Sequence, residues 1–397
     1  NNKMPRKIIH LDLDAFFCAV EESHDPSLRG KAFAVGGKPE ERGVVASCSY
    51  AARARGVRSA MPMGRAISLC PDLQIVSAKH HLYSEASKKV MALLKDVTPL
   101  LEQISVDEAF LDVSDLPETA QTIGKRLQAQ IKSELDLSSS VGIATNKLVA
   151  KIANDVGKKA VQRGISPFAT TIVPEGQESN FLSPLPVEML WGVGPKTAQK
   201  LAETGIYKIG EIANLPEKEM SRRFGKHGRD LSRHARGIDT RPVTTEREVK
   251  SISQETTFLR DISDDEKLEK TLPTLTMKVA RRFRKADLAG KTVKLKIRWS
   301  DFTTLTRQKT LPTMTDSEAE IIEAALSLLK KLRPPGKPVR LIGVGVSGLG
   351  PPLRQLSLWE EGAKKSRELE NILDELHERF GESIIQRGSK AKKEKNS

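Results

Sequence analysis

Ser105-Val106-Asp107-Glu108-Ala109-Phe110-Leu111-Asp112 alternates apolar and polar residues, the pattern of a β-strand with one buried face. Two carboxylates, Asp107 and Glu108, sit side by side at its centre. Neighbouring strand residues point to opposite faces, so both can converge on one ion only at a strand end or a tight bend. Burying two uncompensated carboxylates is costly, and a divalent cation offsets that cost. Hard Mg²⁺, which prefers oxygen ligands, suits them. A second acidic strand is predicted over residues 7–14, where Ile8-Ile9 leads to Asp12 and Asp14. If the two strands pair, Asp12, Asp107 and Glu108 form a three-carboxylate cluster. Such a cluster is the usual equipment for two metal ions about 3.5–4 Å apart. Taken alone, Asp107-Glu108 reads equally well as a solvated strand end, and the rest of the chain decides.

The chain has 397 residues, 38% of them hydrophobic, enough for a sizeable core and for two to four domains. Its formal net charge of +14 points to a polyanionic partner, nucleic acid before a membrane surface. A merely basic protein would have the same balance. No apolar run approaches membrane-spanning length, and no secretory signal is visible. Asn1-Asn2-Lys3 ahead of Met4 reads as an addition to the natural start. Cys18, Cys48 and Cys70 show no zinc spacing, and their odd number suits a reducing cytoplasm.

Taken in order, the periodicity predicts a helix from Phe16, short strands over 32–35 and 43–46, and a short helix over 49–56. That helix puts Tyr50 and Arg53 on the same side. Helices follow over 63–69, 82–95 and 118–135, then a strand over 140–144 and a helix from Asn146 that ends at Gly157. This order suggests an α+β sheet with helices on one face. Lys147, Lys151 and Lys158 would ordinarily cap a helix dipole and face water. Binding a triphosphate is their functional alternative.

The Gly192-Val193-Gly194 turn, with Lys196 behind it, exposes backbone N–H groups at a helix start, where a phosphate can bind. A plain helix connection is the simpler reading of one such turn. Phe224-Gly225-Lys226-His227-Gly228 looks like a looser copy. Residues 236–250 suit a linker, and a second βα unit spans 251–349. Within it, Lys294, Lys296 and Arg298 share one strand face, which suggests a sheet laid on phosphates. Residues 360–397 read as a charged helix and a lysine-rich tail without fixed structure.

Asp12-Leu13-Asp14-Ala15-Phe16-Phe17, Ser49-Tyr50-Ala51-Ala52-Arg53, Ser105-Val106-Asp107-Glu108-Ala109 and Gly192-Val193-Gly194 occur in this order. Together they resemble a Y-family (translesion) DNA polymerase of the bacterial DNA polymerase IV branch, from about Met4 to Trp359. The resemblance implies an α+β right-hand core. Its ferredoxin-like palm would be 1–14 and 80–170, its small fingers 15–79, and its helical thumb with a helix-hairpin-helix 171–240. A linker over 241–250 would lead to a separate α+β little finger over 251–349, then to a clamp-binding motif and charged tail over 350–397. The implied activity is error-prone, template-directed synthesis past lesions, by two-metal transfer of dNMP from dNTP to a primer 3′-hydroxyl, without a proofreading exonuclease.

By the same resemblance, Asp12, Asp107, Glu108 and the Leu13 carbonyl match the ligands of two Mg²⁺ ions, with Mn²⁺ able to substitute. Phe17 matches the steric gate under the sugar. Tyr50, Arg53 and Lys158 match triphosphate contacts, and Ser47 and Ala60 would lie near the nascent base pair. The family usually continues Lys-Pro-Asn/Asp-Gly, whereas this chain reads Lys158-Lys159-Ala160, which leaves Lys159 as a rival. Gln355-Leu356-Ser357-Leu358-Trp359 resembles the Gln-Leu-x-Leu-Phe peptide that holds the sliding clamp (β subunit), with Trp359 replacing phenylalanine. Primer-template DNA, dNTP and the clamp are the implied partners of a cytoplasmic monomer. Two rivals stand beside this reading. Another two-metal palm enzyme, such as a nucleotidyl cyclase, would not need the hairpin or the basic sheet. A non-catalytic DNA-binding scaffold would have no reason to keep Asp12, Asp107 and Glu108.

Overall fold

The computed structural model describes residues 5–161, 167–246, 248–332, 334, 336–352, 372 and 376. The chain divides into two compact units, residues 1–247 and 248–397.

The first unit is built on β1 (Ile8–Leu13), whose apolar run is buried on both sides. After it come α1 (Phe16–His24), β2 (Phe33–Gly36), β3 (Val45–Cys48), α2 (Tyr50–Ala54), α3 (Met63–Leu69) and β4 (Gln74–Val76). Then come α4 (His80–Val97), β5 (Leu101–Gln103), β6 (Glu108–Asp112), α5 (Ala120–Leu135), β7 (Ser139–Ala144), α6 (Lys147–Ala160) and β8 (Thr170–Ile172). The main sheet has the order β5-β6-β1-β7-β8, and a smaller one has the order β3-β2-β4.

Helices cover both faces of the main sheet, not one. Alternation along β1 sends Ile9 and Leu11 to one side, where they join Leu94 of α4 and Leu127 of α5. Ile8 goes to the other side with Leu148 and Ile152 of α6. Both faces of β1 are apolar at this end, so both need a cover.

The strand expected over 105–112 begins only at Glu108. Ser105 Oγ accepts the backbone N–H groups of Asp107 (3.3 Å) and Glu108 (3.1 Å) and turns the chain there. β5 and β6 are therefore a hairpin, with Asp107 in its bend and Glu108 opening the return strand.

α6 runs to Ala160 instead of stopping at Gly157. Glycine serves there for close approach rather than termination, since a Cβ on Gly157 would meet the Thr171 hydroxyl. Gly142 of β7 does the same beneath α6, where a Cβ would meet the Ala150 carbonyl and the Asn154 amide. Cys18, Cys48 and Cys70 are all free and buried.

A helical region follows: α7 (Glu178–Leu182), α8 (Pro195–Ala202), α9 (Ile209–Asn214) and α10 (Glu217–Ala235). α10 is broken at Gly225 (φ 63°, ψ −144°), inside the stretch read as a looser hairpin. The start of the expected linker is fastened to this unit. Gly237 O accepts Asn146 Nδ2 (3.0 Å), Asp239 Oδ2 accepts the Leu148 N–H (3.2 Å), and Thr244 donates its N–H to Glu102 (2.8 Å).

The second unit contains β9 (Ser251–Ile262), α11 (Asp265–Lys285), β10 (Ala289–Trp299), β11 (Thr304–Thr315), α12 (Glu318–Leu332) and β12 (Val339–Gly350). Its antiparallel sheet has the order β11-β10-β12-β9. Val293, Leu295 and Ile297 face a core shared with Leu272, Phe283 and Ile321 of the two helices. Lys294, Lys296 and Arg298 alternate to the other side. Among the described residues, no helix is long and apolar enough to cross a membrane. Gln355–Trp359, and all of 360–397 except Ile372 and Leu376, lie outside the described residues.

The close approach at Gly142 gives a test. Gly142→Ala should force α6 off the sheet and lower stability by about 1–3 kcal/mol, as overpacking does. A thermal unfolding scan reads this directly, and an unchanged midpoint would contradict the contact.

Candidate active site

Lys147, Lys151 and Lys158 fall at i, i+4 and i+11 of α6, on one face of the helix. That face looks onto the acidic edge of the sheet rather than water. Lys147 Nζ pairs with Glu102 Oε2 at 2.7 Å, and Lys151 Nζ with Glu108 Oε2 at 2.6 Å. Lys158 Nζ pairs with Asp12 Oδ1 and, at 3.2 Å, with Asp14 Oδ1. Antiparallel register sets Asp12 directly opposite Glu108, and the Leu13 N–H donates to Asp107 O at 2.9 Å. The two acidic strands thus do pair, the condition on which the sequence reading made the carboxylate cluster depend.

His10, two residues before Asp12 on the same strand face, is fully buried. Its Nδ1 lies 3.0 Å from Asn154 Nδ2, an amide donor, so the imidazole proton belongs on Nε2. Nε2 then donates to Glu108 Oε2 at 3.2 Å. Burial lowers the His10 pKa and keeps the ring neutral. Burial pushes the Glu108 carboxyl up, but bonds from His10 and Lys151 outweigh it and bring it to about 2. Burial raises the Asp12 carboxyl, against the pull of Lys158. Burial would lower Lys158, but Asp12 and Asp14 hold its ammonium above the ordinary lysine range.

A cavity of about 460 Å³ opens at this corner. Asp12, Leu13, Phe17, Ser47, Tyr50, Arg53, Asp107 and Lys158 all line it, so the structure brings these sequence-predicted residues together. Glu108 does not line it, being turned toward His10 and Lys151. Among the described residues, no three His, Cys, Asp or Glu side chains are placed to hold an ion together. The donors nonetheless suit one. Asp12 already takes a cation, the Lys158 ammonium, and carboxylate oxygens are the ligands Mg²⁺ prefers. Glu108 Oε2 is engaged by both His10 and Lys151.

The opposite wall depends on Ala15, whose left-handed backbone (φ 45°, ψ 45°) turns the chain from β1 into α1. Phe16 enters the core, and Phe17 is left against the cavity. The Phe17 ring stacks on Tyr83 (centroids 4.2 Å, planes 14° apart), with His80 edge-on at 6.1 Å. Tyr83 donates its hydroxyl to buried Glu21 at 2.6 Å, and Lys79 Nζ holds the other Glu21 oxygen at 2.5 Å. The sequence reading missed Tyr83, Glu21, His10 and Asn154. These contacts join residues far apart in the chain, and no local pattern marks them.

Ser49 caps α2 by accepting the Ala52 N–H at 3.3 Å, which orients Tyr50 and Arg53. The Arg53 guanidinium lies 5.1 Å over the Tyr50 ring, and its Nε donates to Cys48 O at 3.0 Å. Burial pushes the Tyr50 hydroxyl pKa up. Ser47 is buried, 3.6 Å from the Cys18 thiol, which burial pushes up to about 12. Lys159 also lines the cavity, but its ammonium turns to Met189 Sδ at 2.6 Å.

Elsewhere in this unit, Gly192 has φ 101°, which glycine favours, and exposed Gly194 is the N-cap of α8 with Pro195 next and Lys196 exposed. In the second unit, Lys296 pairs with Glu255 at 2.8 Å and Arg298 Nε bonds Thr304 Oγ1 at 2.8 Å.

Comparison with known proteins adds lineage to this geometry. The impB/mucB/samB family matches residues 11–155, its C-terminal domain matches 249–358, and the IMS family HHH motif matches 176–206. A DNA polymerase IV of Dehalococcoides mccartyi (strain CBDB1) is 39% identical over 387 residues, 96% of this chain and 97% of that protein. The chain belongs to the Y family of DNA polymerases. It is a DNA-directed DNA polymerase of the DNA polymerase IV branch. A DNA polymerase IV of Desulfatibacillum aliphaticivorans is 40% identical over 389 residues, 96% of this chain and 95% of that one. Among solved structures, a chimeric Y-family DNA polymerase has the same fold (TM-score 0.77, 24% identity, 87% of this chain and 100% of that one). DinB from Sulfolobus solfataricus is similar at a TM-score of 0.58 with 26% identity, over 86% of this chain and 98% of that one. This Y-family polymerase therefore has the right-hand core and separate little finger that the sequence led us to expect.

The buried bond behind Phe17 is open to measurement. Tyr83→Phe keeps the ring but strips a donor from Glu21, whose side chain is 1% exposed. Stability should fall by about 1–3 kcal/mol. A denaturant midpoint equal to the parent's would show the bond to be idle.

Proposed function

We propose that this polymerase carries out error-prone synthesis past template lesions, moving dNMP from dNTP to a primer 3′-hydroxyl by a two-metal mechanism without a proofreading exonuclease. The observation that carries this reading is one cavity lined by Asp12, Asp107, Phe17, Tyr50, Arg53 and Lys158. Acidic donors, an aromatic ring and phosphate-seeking cations meet there, and phosphoryl transfer needs that combination more than a nucleophile. The matched curated relatives are named DNA polymerase IV.

In this reading Asp12, Asp107, Glu108 and the Leu13 carbonyl would hold two Mg²⁺ ions, or Mn²⁺ in their place. When bound, these ions offset phosphate charge and lower the pKa of the primer hydroxyl. Arg53 offers a planar fork to phosphate oxygens, steadied by Tyr50 and Cys48 O. Lys158 leaves Asp12 for the triphosphate. Phe17, braced by Tyr83, blocks a 2′-hydroxyl, and Ser47 lies under the nascent base pair. The assigned regions are palm (1–14, 80–170), fingers (15–79), thumb (171–240), linker (241–250) and little finger (251–349). The Gly192–Gly194 turn with Lys196, and the Lys294, Lys296, Arg298 face, rest on DNA phosphates. Gln355, Leu356, Leu358 and Trp359 bind a sliding clamp.

Asp107→Ala should abolish primer extension and spare DNA binding, because it removes a metal ligand and no phosphate contact. Extension retained by a preparation that still shifts DNA on a gel would sink the catalytic assignment.

Neutralising Lys294 should lower the salt slope of DNA binding by about 0.9, the value of one phosphate contact. Neutralising Lys296 should lower it less, since Glu255 already pairs with that ammonium. Equal slopes for parent and Lys294 variant would remove the sheet from the DNA surface.

Replacing Gln355, Leu358 and Trp359 with alanine should leave synthesis without clamp unchanged and cancel the gain in processivity from a loaded clamp. Persistent clamp stimulation would refute the motif.

A further inference from the structure

The turn between β10 and β11 presents an aromatic ring to solvent. Phe302 is 61% exposed, and its backbone is left-handed at φ 65°. That conformation is uncommon and strained for a bulky residue, whereas glycine adopts it freely. The turn imposes it. Phe302 donates its N–H to Trp299 O at 3.0 Å, Trp299 donates to Thr303 O at 2.9 Å, and Asp301 Oδ1 accepts the Thr303 N–H at 2.8 Å.

Register breaks beside the turn. Arg298 faces Leu341 and Trp299 faces Val339, so Arg340 is left over as a bulge. Its guanidinium lies 4.4 Å from the Phe302 ring centre. Lys337 lies 4.6 Å over the neighbouring Trp299 ring, and Arg298 is tied to Thr304 across the turn. Two cations, Arg340 and Lys337, thus each attend a ring, and a third, Arg298, is held beside them by Thr304. A backbone outlier that holds an aromatic ring in water, next to a bulge that aims a guanidinium at it, invites a functional explanation.

We propose that Phe302 and Arg340 form a stacking platform for an unpaired base of single-stranded DNA. Rings and guanidinium planes both stack on bases, and surrounding cations neutralise the flanking phosphates. An apolar protein partner would instead strip water from three cations without pairing them. The platform goes beyond the phosphate contacts assigned to Lys294, Lys296 and Arg298, which are indifferent to bases.

The test uses the full chain and fluorescence anisotropy with two strands of equal length and charge: oligothymidine, and an abasic strand with the same phosphates. The parent should prefer oligothymidine, and Phe302→Ala should cut that preference by about five- to a hundredfold. Phe302→Tyr should keep it. Phe302→Gly should lose the preference while its unfolding midpoint holds or rises, because the strain is released. A ring that served only to stabilise the turn would make that midpoint fall. Undiminished preference in Phe302→Ala, or a lower midpoint in Phe302→Gly, overturns the proposal. An equal loss on both strands would leave a charged surface without base stacking. Lost clamp stimulation with base preference intact would assign the patch to a protein, and either result also refutes the platform. Failure of the sheet's phosphate contacts would show separately, as equal salt slopes for the parent and the Lys294 variant on both strands.

Discussion

The site depends on one electrostatic constraint: acidic groups at the end of a covered sheet need cations within reach. Helix α6 supplies them. Lys151 and Lys158 reach Glu108 and Asp12, and Lys147 reaches Glu102 one turn earlier. A buried carboxylate without such a partner would be protonated or would unfold its surroundings. The backbone meets the constraint first, with glycine. Gly142 and Gly157 let α6 lie close enough on β7 and β8 for lysine side chains to span the gap.

The same pairing shapes what the cavity can do. Glu108 is held by two donors, and their bonds keep it ionised to about pH 2 against the upward push of burial. Lys158 is engaged by Asp12 and Asp14 in this structure. In the proposed reaction one ammonium attends two anions in turn, and its departure from Asp12 leaves room for another cation. Across the cavity the control is steric. The left-handed Ala15 parts Phe16 from Phe17, and buried Glu21 steadies the ring that braces Phe17.

Much of this was legible in the sequence. The apolar run from Ile8 marked β1, alternation marked the strand that carries Lys294, Lys296 and Arg298, and period-3.6 patterns marked α4 and α5 to within a few residues. The acidic strands pair in the register needed to bring Asp12 beside Glu108. What failed did so for identifiable reasons. Ser105 competes for backbone N–H groups and shortens the strand it was expected to start. Gly157 was read as a stop signal, although its missing side chain serves packing against Thr171. The lysines of α6 looked like solvated helix-end charges, because their partners come from strands about 40 to 150 residues away. The reach from Asn146 to Gly237 turned the start of a supposed linker into part of the first unit.

The phase of α6 has a consequence for how the gene can change. Lys151 and Lys158 are seven residues apart, close to two full turns, and therefore share a face. One inserted or deleted residue between them would swing Lys158 by about 100° around the helix axis, away from Asp12. Overall charge and helix content would barely register such an indel. The number of residues between these two lysines is thus as much a part of the site as their identity. A length polymorphism there would be a lesion, even where every neighbouring side chain tolerates exchange.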